Sequence, residues 1–363
     1  MFGGFKNFTI RAIVGANVAS IALMALVGFS DCVNPAHYPL LSIMGLFFPL
    51  FLVINFLFLF FWLLFKVRYA LIPFAGFLLC YVPIRKYMPI NPSEDIPKDA
   101  IKVLSYNTLS FAYGAAEEGE VNPIVEYVKE QQADIVCLQE ATPSLSAWQQ
   151  IDSLLRPDYA YVDTINHPNG NNGMMVLSKY PILRKERIPY ESNGNLSAAF
   201  FLRIQGKEVI LINNHLETTG LSIEERQKFK NLVKGHLETD TAEQTSKLLL
   251  QKLAESTKKR APQAEAVAKF IRDHKGASIL LCGDFNDGPI SYAHRTVAKE
   301  LTDCYVESGN GPGISYNRGG FYVRIDNIMC SDDWKPYDCH VDNKIAVSDH
   351  YPILCYLKKR SKR

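Results

Sequence analysis

The chain has 363 residues, 48% of them hydrophobic, and a formal net charge of only +2 from 39 basic and 37 acidic side chains. A length of this order holds two or three domains. Setting aside the six bases and three acids of residues 1–97 and the five bases of the KKRSKR tail leaves 28 bases against 34 acids in residues 98–357, and an acidic body argues against a nonspecific nucleic-acid binder, which carries a basic surface.

Three uncharged apolar runs occupy the N-terminal part, at about 12–30, 38–65 and 69–84. A helix needs ~20 apolar residues to cross a bilayer. The first run reaches that length, the second exceeds it, and the third does so only with its flanks. A signal peptide is the competing reading of the first run, but no small-residue cleavage site stands out before the second. The second run, YPLLSIMGLFFPLFLVINFLFLFFWLLF, has no polar face and so does not read as a core helix of a soluble protein. Three membrane spans are expected, in a membrane region of residues 1–90. Lys6 and Arg11 precede the first span and Lys66 and Arg68 fill the second loop. The positive-inside bias puts these in the cytoplasm and residues 98–363 outside. Arg85 and Lys86, after the third span, run against that bias.

Residues 91–99 are a polar, proline-bounded linker. Short β-rich runs follow: IKVLSYNTL (101–109), DIVCLQE (134–140), GMMVLS (173–178), SAAFFLRI (197–204), EVILINNHLE (208–217), ASILLCGDFN (277–286), RIDNIMC (324–330) and an apolar strand at 353–357. VNPIVEYVKEQQ (121–132) and APQAEAVAKFIRDH (261–274) carry helical periodicity. Between His215 and the second of these helices a charged insert of about 221–259 reads as two further helices. The eight cysteines form no CxxC pair, and Cys137, Cys282, Cys330 and Cys355 sit in strand-like runs as small hydrophobes. A Cys330–Cys339 bridge is compatible with an oxidising compartment, with nothing to support it.

Six of the strands end in polar clusters: Asn107, Glu140, His215, Asp284 to Asn286, Asp326, and Asp349-His350. Any one of these is the ordinary way a strand becomes a loop; six together gather carboxylates, amides and imidazoles onto one rim. Carboxylates and amide oxygens suit a hard cation such as Mg²⁺ or Mn²⁺, whereas zinc wants more Cys and His than the two histidines here. A cation that keeps open positions for a phosphate oxygen, beside histidines, is equipment for phosphoester hydrolysis.

The ordered series SYNTL, CLQEAT, NNHLE, CGDFND, RIDNI and VSDHYP resembles the endonuclease/exonuclease/phosphatase superfamily across residues 100–357. The resemblance implies a four-layer α/β/β/α sandwich of two packed, mostly antiparallel sheets, followed by the 358–363 basic tail. It implies Glu140 as the principal metal ligand, with Asn107 beside it and Asp349 as a second metal-side carboxylate. His215 and His350 would contact the scissile phosphate, Asp284 would orient or deprotonate the attacking water, and Asn286 would hold phosphate or nucleophile. Asp326 would hold and polarise His350, which predicts the two within hydrogen-bond reach and facing the Glu140 site. Arg260 and Gln263 also match a recurrent family position, where a structural or rim role serves equally well; Asp287 and Ser291 are expected to begin the next helix. The implied enzyme is a membrane-anchored, metal-dependent phosphoesterase acting by direct attack of water. A membrane-tethered nuclease on DNA or RNA is the alternative, and a non-catalytic binding protein a lesser one, because all eight positions are present.

Overall fold

In the computed structural model, which describes residues 2–114, 120–169, 172–236 and 239–360, residues from 101 onward form two six-stranded sheets packed face to face. The first sheet comprises β1 (Ile101–Asn107), β2 (Ile135–Gln139), β3 (Tyr161–Asn166), β4 (Gly173–Ser178), β13 (Trp334–Val341) and β14 (Ile353–Lys359), ordered β13-β14-β1-β2-β4-β3. The second comprises β5 (Ile182–Ile188), β6 (Ser197–Ile204), β7 (Lys207–His215), β8 (Ser278–Asp284), β9 (Thr302–Asp303) and β12 (Asp326–Cys330), ordered β5-β6-β7-β8-β12-β9. A small hairpin of β10 (Tyr316–Arg318) and β11 (Phe321–Val323) stands apart. Each sheet is antiparallel except for one central parallel pair, β1 with β2 and β7 with β8.

One apolar layer lies between the sheets, including Val103, Phe200, Leu211, Leu280 and Ile353; a second lies under the helix Pro123–Gln131, and a third under the helix Thr239–Asp273. Helices therefore cover both outer faces, giving the four-layer sandwich. The eight strands legible in the sequence are all interior. Of the six left unread, β3, β5, β9 and β13 are the four edges of the two large sheets, and β10 and β11 make the separate hairpin. Edge strands pair on one side only and carry polar or proline residues that discourage further pairing: β5 reads ILRKERI and β13 contains Pro336. All eight cysteines are free, so no Cys330–Cys339 bridge closes.

Two expectations for the helices change. The helix expected over 261–274 is the C-terminal part of one 35-residue helix, Thr239–Asp273, which runs through Pro262. The insert thus has no boundary near 259; it is the helix Ile223–Val233 plus the first half of that long helix. At the N-terminus two stretches are long and apolar enough to cross a membrane, Asn7–Cys32 and Pro39–Phe65, while Val67–Leu79 and Tyr81–Tyr87 form a pair bent by 68°. The bend has a local cause, since the Pro83 ring clashes with a helical carbonyl four residues earlier, at Leu79, where the first helix of the pair stops. Buried amides join the first two helices: Asn17 donates to Asn55 at 3.3 Å, and the Trp62 indole donates to Asn17 at 3.1 Å. Such bonds tie helices together where lipid supplies no hydrophobic drive.

The helical bundle meets the sandwich at one end. Asp31 is buried and pairs with Lys86 at 2.5 Å and Arg295 at 3.7 Å. Arg324, itself buried, donates to the Lys86 carbonyl at 2.6 Å. Ile290 packs with Met24, Phe48 and Leu52. Gly45 lies so close to the Ile290 carbonyl that a Cβ would overlap it. Lys66 and Arg68 lie beyond the far end of Pro39–Phe65. Of the basic tail, Lys358 and Lys359 end β14 and pair with Asp99 and Asp333; its last three residues lie outside the described residues. Gly45→Val is expected to cost ~1–3 kcal/mol by overpacking, read as a lower melting temperature of the detergent-solubilised full chain and faster proteolysis in the 91–99 linker. An unchanged melting temperature would contradict this packing.

Candidate active site

Strand register assembles the rim. In the first sheet, Asn107 pairs with Gln139 at the ends of parallel strands β1 and β2, so Glu140 emerges beside Asn107. In the second, His215 lies opposite Asp284 across β7/β8, and Asp284 lies opposite Asp326 across β8/β12. These three form one row. Ser105 pairs with Ile353 in β14, so the segment leading into β14 passes the end of β1. There the Ser348 hydroxyl donates to the Asn107 carbonyl at 2.8 Å and brings His350 over the second sheet's row.

The loops after the strands are tightly specified. Glu140 and Asn286 have left-handed backbone, φ +47° and +50°; asparagine tolerates it, while for glutamate it is a strained conformation of the kind that clusters at functional sites. Thr108 and Ser110 both donate to the Glu140 carbonyl, at 3.0 and 2.9 Å. Gly283, at φ +139°, lies where a Cβ would overlap the Asn214 backbone, which lets β8 run close to β7 just before Asp284.

At the centre, His350 Nδ1 lies 2.9 Å from Asp326 Oδ2, and its Nε2 lies 3.6 Å from Asp284 Oδ2. His215 Nε2 is 3.6 Å from the same Asp284 oxygen and 3.7 Å from Glu140 Oε1. The Asn107 amide donates to Glu140 at 3.2 Å and to Asp284 at 3.1 Å, and its own oxygen accepts from the Leu109 amide. It therefore faces the site as a donor that bridges two carboxylates. The Asn286 backbone and side chain donate to the two Asp284 oxygens at 2.7 and 3.3 Å. Asp349 pairs with Arg226 of the insert at 3.4 Å.

Electrostatics sort these groups into roles. Burial raises the Asp284 carboxyl, against the pull of His350 and His215, to about 6. Burial alone would lower His350, but the charges of Asp326 and Asp284 and the Asp326 hydrogen bond override it and push it up to about 10. His215 is lowered, mainly by burial. Glu140 is raised, again mainly by burial. Near neutral pH the site therefore holds an ionised Asp284, a cationic His350 and a neutral His215.

The donor set suits a hard divalent cation. Asp284, Asp326 and His350 crowd within 4.8 Å of one another, where the cationic His350 is itself the charge partner of both carboxylates and leaves Glu140 and Asp349 for an ion. Buried His215 Nε2 and Asp326 Oδ1 have no hydrogen-bond partner, the condition of polar groups prepared for a charged ligand. Glu140 and Asp284 line the same cavity, of about 540 Å³.

The endonuclease/exonuclease/phosphatase family model matches residues 104–350, well over half the chain. The chain belongs to this family. Residues 10–87 match a second model, a domain of unknown function (DUF8431). No curated protein matches the chain. Among solved structures, it is similar to a family protein from Bacteroides thetaiotaomicron, with 15% identity, 72% of this chain and 96% of that one covered, and a TM-score of 0.48. It is also similar to the human nocturnin catalytic domain with bound sulfate (16% identity, 73% and 97% covered, TM-score 0.49). A third is sphingomyelinase C from Streptomyces griseocarneus (16% identity, 71% and 99% covered, TM-score 0.45).

All eight residues singled out in the sequence lie at this rim. Arg260 and Gln263 support it from behind: Arg260 is buried, donates to the Glu217 carbonyl at 3.1 Å and pairs with Asp287, while Gln263 accepts from the Glu217 amide at 2.8 Å. Ser291 caps the helix Tyr292–Ala298. Three neighbours left no mark in the sequence: Tyr316, edge-on to His350 with centroids 5.0 Å apart; Asn172, 3.4 Å from His215 Nδ1; and Arg226. They come from the β10–β11 hairpin, the loop before β4 and the insert, none of which carries a motif. Asp326→Asn keeps the side-chain shape but removes the charge that holds His350. It is expected to lower kcat for phosphoester hydrolysis by about 10²–10⁴ with little change in melting temperature; full retained activity would remove Asp326 from the site.

Proposed function

We propose that the chain is a membrane-anchored phosphoesterase that uses a divalent cation, Mg²⁺ or Mn²⁺, and hydrolyses a phosphomonoester or phosphodiester by direct attack of water. The observation that carries this reading is the His350 imidazole held between Asp326 at 2.9 Å and Asp284 at 3.6 Å at the polar end of a cavity. Asp284, with a pKa near 6 and both oxygens fixed by Asn286, takes the proton of the attacking water. His350 remains cationic at neutral pH and offers its Nε2 side to the charge that builds on the phosphate oxygens. His215 is neutral and offers an unpaired Nε2 to the same group. Glu140, oriented by Asn107, with Asp349 as a second carboxylate, would hold the cation, which supplies Lewis-acid polarisation of a phosphate oxygen.

Membrane attachment rests on the two long apolar stretches and the bent pair. We place the catalytic body outside the cytoplasm, because Lys66 and Arg68 lie at the opposite end of the bundle. Of the two bases that ran against this orientation, Lys86 is paired with buried Asp31 and Arg85 donates to Asn91.

The detergent-solubilised full chain is expected to hydrolyse bis(p-nitrophenyl) phosphate or p-nitrophenyl phosphate with Mg²⁺ or Mn²⁺. EDTA should abolish and added metal restore the activity, and Glu140→Gln should lower kcat by ~100-fold or more. Unchanged turnover in EDTA would overturn the metal assignment, and rapid cleavage of plasmid DNA would favour a nuclease.

A further inference from the structure

We propose that the substrate is a membrane phospholipid whose acyl chain occupies the apolar part of the cavity behind the catalytic pole, an inference that rests on the phosphoesterase reading above. The cavity has two unlike ends. One is Glu140, Asp284 and His350. The other is built from Leu232, Leu249 and Leu253 of the insert and Ile43, Leu46 and Phe47 of the second apolar stretch. A volume of about 540 Å³ lies within the range of sites that enclose a whole small ligand, far beyond the needs of a phosphate and a water.

Lining chemistry selects the occupant. A single-stranded nucleic acid asks for a cationic groove along its backbone and aromatic faces for its bases. Among the described residues the lining holds no lysine, and its two arginines are each paired with an aspartate, Arg226 with Asp349 and Arg260 with Asp287. A hydrocarbon chain asks for leucine, isoleucine and phenylalanine, which are there. Phe229 of the insert stacks on Phe321 at 4.1 Å and joins the insert to the β10–β11 hairpin over the site.

Position selects the source. Leu46 and Phe47 line the cavity yet remain 41% and 39% exposed, and Leu50, next along Pro39–Phe65, is 54% exposed. The cavity wall thus continues into the outward face of a stretch able to cross a bilayer. A chain can pass from the bilayer into the cavity along apolar surface, without crossing water, while its phosphate reaches the polar pole. There water oxygen bonds to phosphorus, one P–O ester bond breaks, and the proton lost by water ends on the departing alcohol oxygen.

The test uses the full chain. With the full chain held in amphipol and short-chain phosphatidylglycerols presented as monomers in water below their critical micelle concentration, kcat/KM with Mg²⁺, compared with deacylated glycerophosphoglycerol, is expected to rise ~4-fold per methylene taken up until the cavity is filled. In EDTA, phosphatidylglycerol vesicles carrying a diazirine-tipped analogue should label peptides from 239–273 and 43–50 on irradiation. Ser246→Trp, which adds bulk to the lining, should cut that labelling and flatten the chain-length series. Label confined to 51–65 together with a flat series would overturn the lipid site. Hydrolysis of glycerophosphoglycerol as fast as of the lipid, with no cavity label, would defeat the lipid site and leave the phosphoesterase reading intact. Cavity labelling by a protein that hydrolyses no phosphoester would do the reverse.

Discussion

Two buried aspartates face each other because β8 and β12 pair in one register. Asp284 and Asp326 are opposite partners in that ladder, and each is almost fully shielded from water. Two buried carboxylates so placed repel each other, and a cation between them offsets that repulsion. His350 is that cation, and it is delivered from the other sheet, on the segment that enters β14. The charge at the centre of the site thus depends on the two sheets being packed together.

The remaining features follow from that arrangement. Each sheet has a single central parallel pair, and both pairs end at the rim, so Asn107 and Glu140 from one sheet meet His215 and Asp284 from the other. Side chains brought from distant parts of the chain need no flexible lid to meet; rigid strands place them. The insert and the membrane-end segment then enclose this rim and turn an open edge into a cavity with a polar and an apolar end.

Interior strands were legible because they are covered on both faces and paired on both sides, which leaves near-continuous apolar runs such as SAAFFLRI. Edge strands were not, because the physics that protects an edge makes its sequence look like loop. Helix continuity was hidden for a related reason. Pro262 reads as a start signal, yet flanking Arg260 and Gln263 are fastened to Glu217 and hold the helix through it. Asn55, inside an apolar run, has its partners only in the fold, where Asn17 and Ser20 lie against it.

The sequence by itself determined the family and pointed to the eight residues that meet at the rim, because each stands at the end of an apolar strand and strand ends share a surface. It also determined the apolar N-terminal stretches, which need only length and composition. Only the tertiary structure decided which nitrogen of His350 meets which carboxylate, that Asn107 bridges two acids through its amide nitrogen, and that Asp349 pairs with Arg226. Those are matters of register and side-chain direction between segments 24 to 177 residues apart, and no local pattern records them. The cavity is the clearest instance, since its apolar wall joins residues 43–49 to residues 221–257, and neither segment carries any sign of the other.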